Sequence, residues 1–350
     1  MATEPATETT LQGPAAWEEE AERERVHGLG PWKLGLRRLK RNKVALLFGF
    51  LFILLVVACL LAPVWADRVA KTTAEANHLS DTIRVDGEDK NVVGFDGVPI
   101  GPQWFKADGK FFLGADRNGR DIMVRLLYGG RNSLMIGITA AFITTFFSIV
   151  LGVVAGYFRG ASDTVIRAVL DVLWSFPVII LGTALGVALA LGGLSVFGLF
   201  TVAGDSLVIP ILIIGMVYIP YMARPVRGQV LSLREKEFVE AARAQGAGPI
   251  RIMFSEIIPN LASTILVFFT LLIANAVLLE AALSFLGAGV QPPNPSWGTM
   301  IDEGVDRVAT APHLAIVPGI MLVLTVLSLN VFGDGVRDAL DPRAKVRLER

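Results

Sequence analysis

The sequence predicts an all-α integral membrane protein of six transmembrane helices, with a small extracytoplasmic insertion between helices one and two. Three observations carry that prediction. Of the 350 residues 53% are hydrophobic and the mean hydropathy is +0.56, more apolar than one buried soluble core requires. Charge-free runs of spanning length recur along the chain. Lysine and arginine gather in alternate connections between those runs, as the positive-inside rule expects of cytoplasmic loops.

In a bilayer every backbone N–H and C=O must be paired within the structure, which leaves closed barrels or helices of roughly 20 apolar residues. Long runs rather than short alternating segments select helices. A formal net charge of zero excludes a strongly basic nucleic-acid binder. The single cysteine, Cys59, cannot form an internal disulfide, and His27, His78 and His313 are too scattered to read as a metal cluster. No catalytic residue and no metal site are expected.

Residues 1–32 read as a disordered acidic cytoplasmic tail, carrying Glu18, Glu19, Glu20, Glu22 and Glu24 and too little apolar surface to fold alone. Lys33, Arg37, Arg38, Lys40, Arg41 and Lys43 then precede an uncharged run from Val44 to Ala66. Residues 33–66 are therefore the first transmembrane helix with its basic flank, the amino terminus staying in the cytoplasm. Val56-Val57-Ala58-Cys59 imitates a lipoprotein cleavage box, but the segment starts too deep in the chain and stays apolar past the cysteine.

The insertion covers residues 67–116. Residues 67–131 hold ten basic and ten acidic side chains among 65 residues, a balance neutral to orientation. Asp86-Gly87, Asp96-Gly97 and Asp108-Gly109 are hairpin-type turn signals between β-prone stretches such as Thr82–Val85 and Lys110–Leu113.

Residues 117–335 supply the other five spans, from charge-free runs at Asn132–Phe158, Val172–Gly204, Ser206–Ala223, Ile257–Leu279 and Ala311–Gly333. One central charge in such a run would cost roughly 2.5–3.5 kcal/mol. Val172–Gly204 is too long for one helix, and Gly192-Gly193 predicts a bend into a short outer segment. Six spans place the loop at 224–259 and the tail at 336–350 in the cytoplasm, and both are rich in Arg and Lys. The outer connections near Asp205 and at Gln291–Thr310 carry only Arg307.

Within the 224–259 loop, Glu235–Ala247 is a helix-forming stretch too short and polar to span, with Phe238, Val239 and Ala242 on one side. It must lie on the membrane surface or dock on a soluble partner. Ala241, Ala242 and Gly246 leave little bulk on adjacent turns, so another surface can approach closely while Glu240 offers an orienting charge. Gly246 and Gly248-Pro249 break the helix, and Ile250–Ile258 leads to Pro259 at the entrance of the fifth span.

Glu240-Ala241-Ala242, then Gly246, then Ile257-Ile258-Pro259 resembles the EAA loop of binding-protein-dependent ABC importers, with Glu256 and Ile258 replacing the Ile and Leu of the usual Ile-x-Leu-Pro ending. LGADRNGRDIMVRLLYGGRNSL at Leu113–Leu134, AGYFRG at Ala155–Gly160, EAALSFLGAGVQPPNPSWGTM at Glu280–Met300 and GDGVRDALDPR at Gly333–Arg343 look like the C-type permease of oligopeptide and dipeptide importers. The resemblance implies a type I ABC importer permease fold in the cytoplasmic (inner) membrane, both termini cytoplasmic. It implies Phe238, Val239, Glu240, Ala241, Ala242, Gly246 and Pro259 as the ATPase-coupling residues. It further implies a heterodimer with a homologous permease, two cytosolic ATPase subunits holding ATP and Mg, and an extracytoplasmic solute-binding protein. Peptide is the implied solute, with nickel or another small solute as the alternative.

The chain itself holds no GxxxxGK[ST] loop and no LSGGQ-like signature, so it is expected to be non-catalytic and to bind no cofactor. A secondary transporter would carry charged residues at mid-membrane, which the runs lack, and no HExxH or GxSxG motif marks a membrane hydrolase. Gly152, Gly156 and Gly160, and separately Gly182 and Gly186, recur at four-residue spacing, a pattern for close helix packing, including a seam with the partner permease. Asp171 is expected as a boundary charge paired with Arg167. Glu280 and Asn275 are candidates for an outer gate or substrate pathway, and Trp297, beyond Pro292, Pro293 and Pro295, is expected to anchor at headgroup level.

Overall fold

The computed structural model describes residues 31–340 apart from 86, 87, 105, 108 and 197–199. The expected acidic amino-terminal tail and most of the carboxyl tail lie outside the described residues. The elements run α1 (Pro31–Arg41), α2 (Lys43–Leu60), α3 (Ala62–Trp65), β1 (Thr82–Val85), β2 (Glu88–Asn91), α4 (Ile122–Phe158), α5 (Gly160–Trp174) and α6 (Val178–Gly192). Then come β3 (Leu194–Val196), β4 (Phe200–Val202), α7 (Val208–Val217), α8 (Ile219–Leu233), α9 (Glu237–Ala244), α10 (Pro249–Ile252), α11 (Ile258–Phe285), α12 (Trp297–Val305) and α13 (His313–Leu340).

Among the described residues five helical stretches are long and apolar enough to cross a membrane: α2, α4, α7 with α8, α10 through α11, and α13. The sixth span is broken. α5 and α6 meet at an angle of 84° across Ser175, Phe176 and Pro177, because the residue before a proline is pushed out of the helical region and Pro177 has no N–H to give. α5 carries exposed Val165, Val169, Val172 and Trp174. α6 has 15 residues and so spans only about 22 Å. The expected third span thus begins six residues later than its charge-free run, at Val178, and it ends as expected at Gly192-Gly193, where Gly193 has φ 65°. A two-stranded hairpin, β3 with β4, follows.

α4 is the central helix and packs along α8, α11 and α7, while α13 packs along α2, α11 and α12. α4 begins at Ile122, well before its charge-free run, because Arg125 in its first turn is held by Asp116 and Glu303, while Arg131 is exposed. Asp121 caps it, accepting from Met123 N at 2.9 Å and Val124 N at 3.1 Å, and also from Phe111 N at 2.7 Å. Burial pushes this carboxyl above the usual carboxylate range, and the three backbone donors oppose that rise.

The insertion is an ordered unit. β1 and β2 pair antiparallel with Val85 opposite Glu88, leaving the two-residue connection that Asp86-Gly87 foretold. Gly97 has φ 72° in a turn where Val98 N donates to Asp96 Oδ1 at 3.0 Å. Lys110–Leu113, expected as a strand, forms turns instead: its Phe111 is drawn into a small core with Val92 and Ala115, and its carbonyls at Phe111 and Phe112 accept from Gln103 N and Trp104 N without forming a strand.

Candidate functional site

α9 is a two-turn helix whose ends are well defined. At its C-terminus Gly246 adopts φ 82°, with Gly246 N donating to Arg243 O at 2.9 Å and Ala247 N to Ala242 O at 3.0 Å. That pair of bonds satisfies carbonyls the helix would otherwise leave open, and only glycine takes this conformation freely. Glu240, Ala241 and Phe238 are exposed on α9, Phe238 at 37%. Val239 is not available to a partner: it is fully buried in the cluster that contains Val230, Ile252 and Ile257, and Ala242 packs against the same cluster. The apolar side of this helix therefore divides between an anchoring residue, Val239, and an outward one, Phe238.

The anchor joins α9 to both neighbouring spans. On one side Arg234 donates to Tyr157 O at 2.5 Å and Arg159 pairs with Glu235 at 2.5 Å, tying the loop to the end of α4. On the other, α10 continues through a π-helical turn, Met253–Ile257, directly into α11. Pro259 is exposed one residue into α11 and does not break the helix; the widened turn before it relieves the clash a proline ring makes with the carbonyl four residues back. α9 is thereby linked through α10 to a helix of 37 residues, Pro249–Phe285.

The glycine stripes act inside this chain. A Cβ at Gly152 would lie 2.7 Å from Val226 Cγ1, and one at Gly156 would lie 2.7 Å from Val230 Cβ, so both glycines let α4 and α8 approach closely. Gly182 faces Leu283, and Gly186 sits on the Ala288 carbonyl. These four are covered by the same chain and line no seam with a second permease. Gly160 departs from the packing expectation altogether: it has φ 62° at the corner between α4 and α5, with open space around it.

At the opposite end of the bundle, Glu280 has no exposed surface. Its Oε1 accepts from Ser284 Oγ at 2.7 Å, and Ser284 in turn accepts from Val290 N at 3.0 Å; Oε2 has no hydrogen-bond partner. Glu280, a candidate for an outer gate, is sealed in where α11 packs on α4 and α12. Asn275 is only half-buried and lies five residues away on α11, about 140° around the helix, so the two do not share a face. Trp297, expected as a headgroup anchor, is fully buried, donating Nε1 to Leu126 O at 3.1 Å; Ser296 caps α12 and turns the ring inward. Asp171 pairs with Arg224 at 2.8 Å, whereas Arg167 reaches Asp163 at 3.4 Å: both carboxyls lie four residues from Arg167, and the acid N-terminal to the base is the better helical orientation.

Sequence reading missed an ion-pair network beside this region. Arg125, 2% exposed, bonds Asp116 and Glu303, the latter at 2.7 Å, and Arg120 bonds Asp116 at 2.7 Å and Glu303 at 2.8 Å. With Arg307 donating to Gly97 O at 2.7 Å, it fastens the insertion to α4 and α12. The dense charge in Asp116–Arg125, next to a span, was the available signal.

A bundle of candidate membrane spans with a loop helix anchored at Val239 between two of them is the architecture of a membrane permease. The chain belongs to the family of binding-protein-dependent transport system inner membrane components, whose model matches residues 148–346. A model of the N-terminal transmembrane domain of oligopeptide transport permease C matches residues 30–79. A glutathione transport system permease protein of Pectobacterium atrosepticum is 36% identical over 315 residues, 90% of this chain and 92% of that one. A dipeptide transport system permease protein of Alkalihalophilus pseudofirmus is 34% identical over 317 residues, 91% of each. In fold the chain resembles the MetNI methionine ABC transporter in an inward-facing conformation, with a TM-score of 0.52 at 20% identity, covering 63% of this chain and 98% of that chain.

Proposed function

We propose that this chain is one permease of a heterodimeric, ATP-driven peptide importer, and that α9 is the handle by which a cytosolic ATPase moves it. The observation that carries this reading is the pairing of an exposed, small-sided face at Glu240 and Ala241 with a buried anchor at Val239, on a loop continuous with a 37-residue helix. The names of the similar permeases support peptide as the solute, and their family supports an extracytoplasmic binding protein as the donor. ATP and Mg reside on two ATPase subunits. The basic residues of α1 and of the α8–α10 region support a cytoplasmic position for α9 and both termini, with the insertion, at the other end of the bundle, outside.

In the mechanism, ATP closes the ATPase pair, the docked α9 helices of the two permeases approach, and α11 carries that motion to the outer end where Glu280, α12 and the insertion are packed. Since the nucleotide never touches this chain, its influence passes entirely through differential contacts at α9. Gly246 is a poor probe, because any side chain there strains the helix end. Ala241→Trp is a clean one: its position is exposed and its backbone ordinary. In reconstituted complexes this variant should keep normal membrane insertion and lose solute-stimulated ATP hydrolysis by at least about tenfold, the equivalent of 1.4 kcal/mol of coupling. Unchanged stimulation would remove α9 as the handle.

A further inference from the structure

We infer that α1 and the groove beside it form a binding site for one anionic phospholipid of the cytoplasmic leaflet. α1 reads PWKLGLRRLKR, with Trp32, Gly35, Leu36 and Leu39 on one side and all its bases on the rest of the circumference. Gly35 lets the helix settle on the end of α13, where an added Cβ would meet Leu340 Cδ2 at 2.7 Å. Trp32 and Leu36 stay uncovered, 54% and 55% exposed. Beside them lies an apolar groove of about 220 Å³ bounded by Leu39, Leu266 and Phe332. A second apolar hollow of about 440 Å³ continues it, sharing Trp32 and Leu266.

Charge decides the occupant. Lys33 and Lys40 are exposed on the flank of α1 next to the apolar side, Lys43 follows at the start of α2, and among the described residues none of the three makes an ion pair. A helix of this kind lies in the plane of the interface, its lysines at headgroup level and its apolar side at acyl depth. A single phosphodiester headgroup with an acyl chain matches both halves of the site at once: the anion meets the lysines, and the chain fills the groove that joins α1 to α11 and α13. In a zwitterionic lipid the headgroup cation offsets the phosphate, so such a lipid satisfies the groove and gains little from the lysines.

Native mass spectrometry of the purified complex in neutral detergent, titrated with phosphatidylglycerol and with phosphatidylcholine, tests this. The wild type should bind phosphatidylglycerol at least about fivefold more tightly, as expected when several lysines face one anion. The combined Lys33→Gln, Lys40→Gln and Lys43→Gln variant should bind the two lipids equally, and Leu36→Ser should weaken both while keeping the preference. Equal binding by the wild type would overturn the site. So would a preference that appears only when residues 1–30 are removed, because the acidic Glu18–Glu24 segment would then be the occupant.

Discussion

Glu280 places a carboxyl group with no exposed surface inside a membrane bundle, and Ser284 supports it with a hydroxyl used in both directions. Ser284 accepts from Val290 N and donates its O–H to Glu280 Oε1, so the loop after α11 is folded back onto the helix through one hydroxyl. Glu280→Gln keeps an acceptor for Ser284 and should melt close to the wild type. Glu280→Leu strands that hydroxyl in a dry site and should cost about 1–3 kcal/mol. Thermal unfolding of the detergent-purified complex separates the two, and equal melting of the Leu variant and the wild type would show that the relay holds nothing. Sequence gave no hint of this depth: the residues that bury Glu280 come from α4 and α12, more than a hundred residues away in one case and beyond a loop in the other.

Elements were legible where one local signal settles a conformation. The pairing of β1 with β2 follows the Asp86-Gly87 turn signal after a β-prone stretch, and α6 stops at Gly193 because a positive φ is free there. They were illegible where hydropathy competes with geometry. Val172–Trp174 are as apolar as any span, yet they end α5 rather than begin a span, because Pro177 turns the chain by 84°. The stripe at Gly152, Gly156 and Gly160 mixes two roles at one spacing, and substitution should resolve them. Gly156→Leu drives a side chain into Val230 and the Arg227 carbonyl and should cost about 1–3 kcal/mol, with α4 and α8 forced apart. Gly160→Leu meets open space and pays only for its positive φ, about 1–2 kcal/mol. Disulfide trapping between cysteines placed on α4 and α8 should slow in the first variant and not in the second; equal slowing would mean that Gly160 also packs.

For the molecule as a whole, the decisive matter is where the work of transport comes from. The clean runs in the sequence pointed to a bundle without mid-membrane charge; the structure places buried Arg125, Asp116, Asp121 and Glu280 towards the end that carries the insertion, fastens the first two into a network with Glu303, and pairs buried Asp163 with Arg227 at the other end. A carrier driven by ions needs a charge that changes partners between two states, exposed alternately to each side. Here Arg125 is held by two carboxylates and Glu280 is shut off from solvent, whereas α9, at the opposite end, is exposed and joined to two spans. The complete importer in proteoliposomes should therefore take up peptide only with ATP on the ATPase side, and should keep doing so when ionophores abolish proton and sodium gradients. The permease pair without its ATPases should carry nothing under any gradient. Gradient-driven uptake by the pair alone would transfer the motor into the bundle and leave α9 without a task.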